Sequence, residues 1–583
     1  MPGLFGIVEF EKRPDGSLFN NLASKITPYK NAYLQSEAEN CLLGFKSLAI
    51  VDPKGQPFYD RQNSLALFFW GEVFERDNKT PRIPEYIFEL YLEDRLEELK
   101  EINGFFSLAL WDDRNRILIL ATDIHGSRPL YCYPNKNSII FAPNPFALAG
   151  TLGLSKVNRD AMLQFLTFSK MFYNHTWIGG IMKLRYGQIL RLDKSELRTT
   201  QYFFPCYDPV KMSIDDAADG ILERLEKAVI RMSEGKAALS LSGGGDSRLL
   251  AALLKKNKIL IPAFTFGGNE SEDIRIAEEV CAHLNMPHHK LLISQDFLEH
   301  HLEEAVYNTG GYTSALNFHG ISTRYEVKKI CDVCISGLYG NNYLGYISWF
   351  LYKLYQNNRS GGLKDIHDKF FAKGQVLDSL ERLTAFAIDR SELINGISTI
   401  LDIYTFQTML ATWMMLDHFE INSQSSLAGF WLENDLLEFR SPYGDRDLLE
   451  FNFKIPVEYK LMMNLGRHIW SKYFPGLGEI DHQRTGLPIN SSLKKLIIQK
   501  VASRVFKIRP RAGIMEYSAV FEHNLKDWLK DFLLSEKARI REYLNMDTVA
   551  IRVGTHTESD TENASQIGLL LTLEQVLRIL EPD

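Results

Sequence analysis

The stretch Leu239–Leu250, LSLSGGGDSRLL, decides the reading of this chain. Ala237–Leu241 is a short apolar run that reads as a strand, and Ser247–Lys256 carries the apolar spacing of a helix. Three glycines fill the turn between them. Glycine permits positive φ there and lets backbone N–H groups approach a ligand closely. The start of a helix adds free N–H donors and a partial positive charge, so the turn makes an anion site, most simply one for phosphate. The pattern is neither a Walker A loop, whose lysine is absent, nor G-x-G-x-x-G. Ser242 and Ser247 add hydroxyl donors around Gly243, Gly244 and Gly245. A carboxylate among phosphates is repulsive unless a cation lies between, which marks Asp246 as a Mg²⁺ ligand. The plainer alternative is a glycine-rich turn in which Asp246 caps the helix.

Outward from this loop the pattern changes on the two sides. Before it, Ile214–Met232 is helical, with Ile221, Leu222, Leu225, Val229 and Met232 on one face. After it the chain is mostly helical, with short apolar strands at Ile259–Phe266 and Val333–Ser336. Strands alternating with helices predict a parallel sheet in an α/β domain. The first two hundred residues are instead rich in short strands: LFGIVEF, CLLGFKSLAIVD, SLALFFWGEVFE, FFSLALWD, RILILATD and SIIFAP. One helix, Pro84–Ile102, interrupts them. Tyr202–Ser213, with two prolines and no period, reads as a linker, so the domains are expected at 1–205 and 214–583. Thr555–Gln566 reads as an exposed polar loop before a last amphipathic helix.

Composition narrows the partners. The chain has 583 residues, is 45% hydrophobic and 24% charged, and carries a net charge of −7. Bulk electrostatics therefore disfavour a nucleic-acid or anionic-membrane partner. Six cysteines are too few for a disulfide scaffold at this length. Cys331 and Cys334 form a CxxC, but KKICDVCISG reads as a buried strand with no second pair to complete a zinc site. The amino terminus does not read as a signal peptide, and no apolar run is long enough to span a membrane, so a cytoplasmic protein is expected.

SGGGDS is similar to the pyrophosphate loop of the N-type ATP pyrophosphatases. MPGLFGIV, GFFSLALWDDRNRILILATDIHGSRPLYCY and IIFAPNPFAL resemble the amino-terminal domain of asparagine synthetases. FRSPYGDRDLLEF, HQRTGLP and IGLLLTLEQVLRIL resemble, in the same order, later segments of that family. The resemblance implies an Ntn-hydrolase-like αββα sandwich followed by an adenine nucleotide α-hydrolase-like domain. It also implies use of ATP and Mg²⁺ to activate a carboxylate as an acyl-adenylate, with amide formation afterwards. Ser242 to Ser247 would hold pyrophosphate, Thr265 and Phe266 would flank adenine, and Ser336 and Gly337 would line the adenylate.

The family pattern breaks in three places. Glutamine-dependent members have a nucleophilic Cys after the initiator Met; here Pro2 stands there, with Ser47 in place of an arginine and Trp70 in place of an asparagine. Glutaminase activity is therefore expected to be absent, as in the β-lactam synthetases. In SGLYGNNYLGY, Asn341 and Asn342 replace an Asp-Glu pair, so Asn341 would offer Mg²⁺ a neutral ligand. Leu338 stands where some members carry a glutamate, and Tyr339 lies one place from a β-lactam synthetase tyrosine. In HQRTGLP, Arg484 replaces a lysine and would stabilise developing charge as AMP departs. Arg484 and Tyr339 are the catalytic candidates, and Asp246 with Asn341 the metal candidates. The default product is asparagine from aspartate. The alternatives are an intramolecular or peptide ligase of the β-lactam synthetase or lasso-peptide cyclase kind, and a homologue that binds nucleotide without turnover. The expected partners are a small-molecule or peptide carboxylate and a second copy of the chain in a homodimer.

Overall fold

A computed structural model describes residues 1–26, 33–74, 83–194, 196–345, 348, 352, 375–404, 409–505, 513–554 and 561–582. The first part is a sandwich of two six-stranded antiparallel sheets. One sheet is built from β1 (Gly3–Glu9), β2 (Tyr33–Ala38), β3 (Cys41–Lys46), β8 (Tyr131–Asn135), β9 (Ser138–Ala142) and β10 (Met182–Lys183). The other holds β4 (Phe58–Asp60), β5 (Leu65–Val73), β6 (Gly104–Asp112), β7 (Ile117–Thr122), β11 (Gln188–Leu192) and β12 (Leu197–Gln201). The period-two rule explains why its strands are apolar throughout. On β5, Phe68 and Trp70 join the core shared with the first sheet, while Leu67 and Phe69 pack on the opposite side with Ile87 and Phe88 of α2 (Ile83–Leu92). Helices α1 (Gly16–Lys25) and α3 (Pro145–Leu152) cover the outer face of the first sheet, completing the αββα layers.

The expected helix Pro84–Ile102 is shorter than its pattern suggests. It ends at Leu92, Asp94 turns left-handed, and Leu96–Glu101 continues as a 3₁₀ turn. Acidic Glu93 and Asp94 at a helix carboxyl end oppose the helix dipole, and Arg95 bridges Glu93 to Glu98 of the following turn. The strand expected over Cys41–Asp52 stops at Lys46, because Asp52 folds back to accept from the Gly71 amide at 2.7 Å. The segment Tyr202–Ser213 has no regular structure but is pinned at both ends. Tyr202 donates to Thr122 O at 2.5 Å, and the Val457 amide donates to Tyr207 Oη at 2.8 Å.

The second part is built on a five-stranded parallel sheet of order β15-β14-β13-β16-β17. Its strands are β13 (Ala237–Ser240), β14 (Ala263–Gly267), β15 (His288–Leu292), β16 (Val333–Ile335) and β17 (Glu438–Arg440). Helix α5 (Ile214–Met232) precedes it, with a Ser213–Asp216 capping box and the expected face buried. Helix α6 (Asp246–Lys256) follows the glycine loop, and α7 (Glu272–Leu284) follows β14. The strand expected from Ile259 starts only at Ala263, since Lys258 is left-handed and Pro262 lacks an N–H. Cys331 sits at a helix end and Cys334 in β16; both are buried free thiols. Residues 555–560 of the expected polar loop lie outside the described residues, and 561–566 already belong to the helix Thr561–Leu580. No helix among the described residues is long and apolar enough to cross a membrane.

Candidate active site

Strand β13 is central, and chain order runs outward from it in both directions, so the sheet has its topological switch point at the carboxyl end of β13. Ligands of open α/β sheets bind at that place. The SGGGDS loop occupies it, and Ser336–Gly337 leaves the adjacent end of β16. Gly245 caps α6 without a side-chain bond, and Asp246 is the first helical residue. Asp246 is therefore not a helix cap, which sets aside the plainer reading of the loop.

The three glycines do not use the positive φ that glycine permits. Space holds Gly243 and Gly245 to glycine instead. A Cβ on Gly243 would lie 3.1 Å from Asp273 Oδ1, and one on Gly245 would lie 2.8 Å from Ile489 Cδ1. Ser242 and Ser247 meet through their hydroxyls at 3.1 Å, and the Gly244 amide donates to Ser242 Oγ at 3.3 Å. Part of Asp246 reaches solvent. Burial of its carboxyl still pushes its pKa up to about 7, with Arg484 pulling the other way. A carboxylate so poorly solvated gains most from a cation.

The second loop presses on the first. A Cβ on Gly337 would come within 2.8 Å of the Ser247 amide, and one on Gly340 within 2.4 Å of Asp246 Cβ. Asn341 follows Gly340 directly and opens the turn Asn341–Leu344. Tyr443 donates from Oη to Asp246 O at 3.1 Å. Arg484 is exposed in the hairpin joining Asp481–His482 to Leu487–Pro488, with its amide 3.2 Å from His482 Nδ1. Its guanidinium acts electrostatically on both Asp246 and Asp273.

Thr265 and Phe266 serve differently. The Thr265 hydroxyl donates to Leu241 O at 2.7 Å and meets His288 Nε2 at 2.9 Å, so it locks the root of the loop rather than facing a ligand. Phe266 is half-buried against the His319 ring, 5.2 Å away. Ser336 Oγ accepts from the Leu338 amide at 3.2 Å, bracing the second loop.

Two residues that bond the glycine loop escaped the sequence reading. Asp273, buried at the start of α7, accepts from the Gly243 amide at 2.6 Å and so occupies a loop donor. Its signal was the acidic NESED run after β14. Arg248 is fully buried and donates to Gly243 O, Leu477 O, Ile480 O and Asp481 O at 2.6–3.2 Å. It ties the glycine loop to the hairpin that carries Arg484. Among the described residues, no three His, Cys, Asp or Glu side chains gather as a metal cluster. That suits Mg²⁺, which binds through one or two carboxylates and substrate phosphates rather than an all-protein cage. Asp246 supplies one such carboxylate.

A buried ionic arrangement joins the two parts. Glu72 takes both Arg440 Nε and Nη2 at 2.8 Å, and Arg128 donates to Glu438 at 2.5 Å. Trp70 is fully buried, with Arg128 5.3 Å from its ring, and fills the space over Gly3.

Residues 220–578 match the family described as asparagine synthase. The chain belongs to the asparagine synthase family. Residues 1–203 match the glutamine amidotransferase domain. Among relatives of this family member, asparagine synthetase (glutamine-hydrolyzing) 3 of Bacillus subtilis (strain 168) is 22% identical over 82% of this chain and 84% of its own length. Putative asparagine synthetase (glutamine-hydrolyzing) 1 of Methanocaldococcus jannaschii is 23% identical, covering 87% of each chain. Asparagine synthetase (glutamine-hydrolyzing) 2 of Arabidopsis thaliana is 27% identical over 47% of each.

Proposed function

We propose that this asparagine synthase family member is an AMP-forming amide ligase without glutaminase activity. The observation that carries the reading is the packing of two loops, SGGGDS and SGLYG, onto Asp246 at the switch point of the parallel sheet. ATP would lie along this crevice with pyrophosphate on Ser242–Ser247. Bound Mg²⁺, held by Asp246 and Asn341, would neutralise the phosphate charge. A substrate carboxylate attacks the α-phosphorus and pyrophosphate leaves; ammonia or an amine then attacks the acyl carbon and AMP leaves. Arg484 would steady the charge that grows on the departing phosphate, since a guanidinium keeps its proton and forks onto phosphate oxygens. Tyr339, whose hydroxyl is buried without a partner, would hydrogen-bond the reacting groups.

The absence of glutaminase activity rests on the first domain. Pro2 has no thiol, Ser47 donates to Asp52 rather than gripping a substrate carboxylate, and Trp70 fills the space nearby. Ammonia made in that domain is therefore not expected. This favours a second reading, in which the amine is part of the substrate itself, as in an intramolecular or peptide ligation. The test is pyrophosphate exchange into ATP across a panel of carboxylates. Exchange with a substrate carrying its own amine supports the second reading, exchange with aspartate supports asparagine formation, and ATP binding without exchange marks a non-catalytic homologue.

A further inference from the structure

Tyr339 is held in a costly conformation. Its φ is +69°, a left-handed value that a bulky side chain keeps only when its surroundings over-determine it. Hydrogen bonds from its own side chain do not supply that constraint, since Tyr339 Oη, Tyr343 Oη, His125 Nδ1 and His418 Nε2 are all buried without partners. Stacking supplies it. The Tyr339 ring lies between two imidazoles, that of His125 at 4.9 Å and 24° and that of His418 at 5.0 Å and 27°. His418 comes from the π-helical turn Asp417–Asn422 and His125 from the amino-terminal domain, just after β7. His125 also donates from Nε2 to Gly444 O at 2.8 Å. Gly444 follows Tyr443, which holds Asp246 O, and Tyr339 stands between the two glycines that press on Asp246 and Ser247. One imidazole from the first domain therefore touches both turns that contact Asp246, one at its side chain and one at its main-chain oxygen.

We propose that His125 is a positioning residue of the adenylation site, and that it is the working contribution of the amino-terminal domain to catalysis. The His125–Tyr339 stack holds SGLYG in its strained form against Asp246, and the His125–Gly444 bond steadies the turn whose Tyr443 holds the Asp246 main-chain oxygen. The proposal rests on reading SGGGDS as the nucleotide site.

The test uses the full chain and three substitutions: His125→Ala, His125→Phe and His125→Gln. MgATP affinity is measured by calorimetry, AMP-forming turnover alongside it, and folding by thermal melting. His125→Ala removes both contacts and is expected to weaken MgATP binding and cut turnover about 100-fold, the scale of a misplaced group. His125→Phe keeps the stack and recovers most of the loss; His125→Gln keeps a donor for Gly444 and recovers less. If His125→Ala fails to fold, the order of Phe above Gln still decides. A folded His125→Ala with MgATP affinity and turnover within twofold of wild type overturns the proposal, as does a folded His125→Phe no better than Gln. Wild-type protein that binds no MgATP overturns the nucleotide reading itself, and this proposal with it.

Discussion

Two glycine-containing pockets stand in the chain, one around Gly71 at the end of β5 and one around Gly243–Gly245 at the end of β13. Around Gly71 the charged groups are paired with one another, although the Trp70 indole N–H, Arg128 Nε and Glu438 Oε1 are buried without partners. Asp52 takes the Gly71 amide and the Ser47 hydroxyl, Glu72 takes Arg440, and Arg128 takes Glu438. Around Gly245 the Gly243 and Gly244 amides and the two serine hydroxyls are bonded, but Asp246 has no ion pair among the described residues. Asp246 is raised to about 7 by desolvation, the Trp470 indole N–H and the Tyr339 and Tyr343 hydroxyls are buried without partners, and Arg484 is exposed. The contrast is between charges paired with one another and a carboxylate left without an ion pair, and the proposed function takes the second region as the working one.

The contrast is broken most severely at Asp246. Asp246→Ala removes the carboxylate proposed to hold Mg²⁺ and should cut AMP formation by at least about 100-fold, as loss of a charge-stabilising group does. Product assay by phosphate-labelled ATP checks this, and near-wild-type turnover would refute the metal role. In the paired region the same kind of change should harm folding instead. Glu72→Ala leaves Arg440 buried without its partner and should cost about 3 kcal/mol, the low end for a broken buried pair because each side chain keeps a tenth of its surface exposed. Denaturant melts would show it, with AMP-forming turnover of the folded protein unchanged.

Asn341→Asp sharpens the account of the open pocket. A second carboxylate across the cation should lower the Mg²⁺ concentration needed for half-maximal pyrophosphate exchange. Unchanged Mg²⁺ dependence would show that Asn341 does not face the metal. A smaller effect is expected outside both pockets, at Glu433. Burial, reinforced by Asp435 and opposed by Arg324, pushes this carboxyl up to about 8. The folded protein then holds a proton that the unfolded chain has released, so stability falls as pH rises from the ordinary glutamate range toward 8. Glu433→Gln should melt higher than wild type at pH 8 and like wild type near pH 4; equal melting at both would sink the assignment.

The elements legible in the sequence were those with local causes. β13, the glycine turn and α6 follow from a strand pattern, small residues and a helix pattern within twenty positions. Trp70 and Pro2 were legible as departures from a family pattern. β15 and β17 were not, because HHKLL is a polar edge strand and EFR is only three residues long; parallel pairing with β14 and β16 makes them strands. Asp273, Arg248 and His125 escaped for the same reason. Their roles come from contacts with residues distant in the chain, such as Gly243 for Asp273 and Gly444 for His125, and no spacing rule connects them. Thr265 shows the converse, since a residue expected to flank adenine has its hydroxyl committed to Leu241 and His288.

The central claim is that the second pocket works and the first does not, and one reaction measures both. The protein is incubated with labelled ATP, Mg²⁺, a carboxylate that supports pyrophosphate exchange, and either glutamine or ammonium as the nitrogen source. The account predicts AMP and pyrophosphate as the nucleotide products, with no glutamate above a no-enzyme control in the glutamine tube. ADP as the nucleotide product, or glutamate released from glutamine, would contradict it.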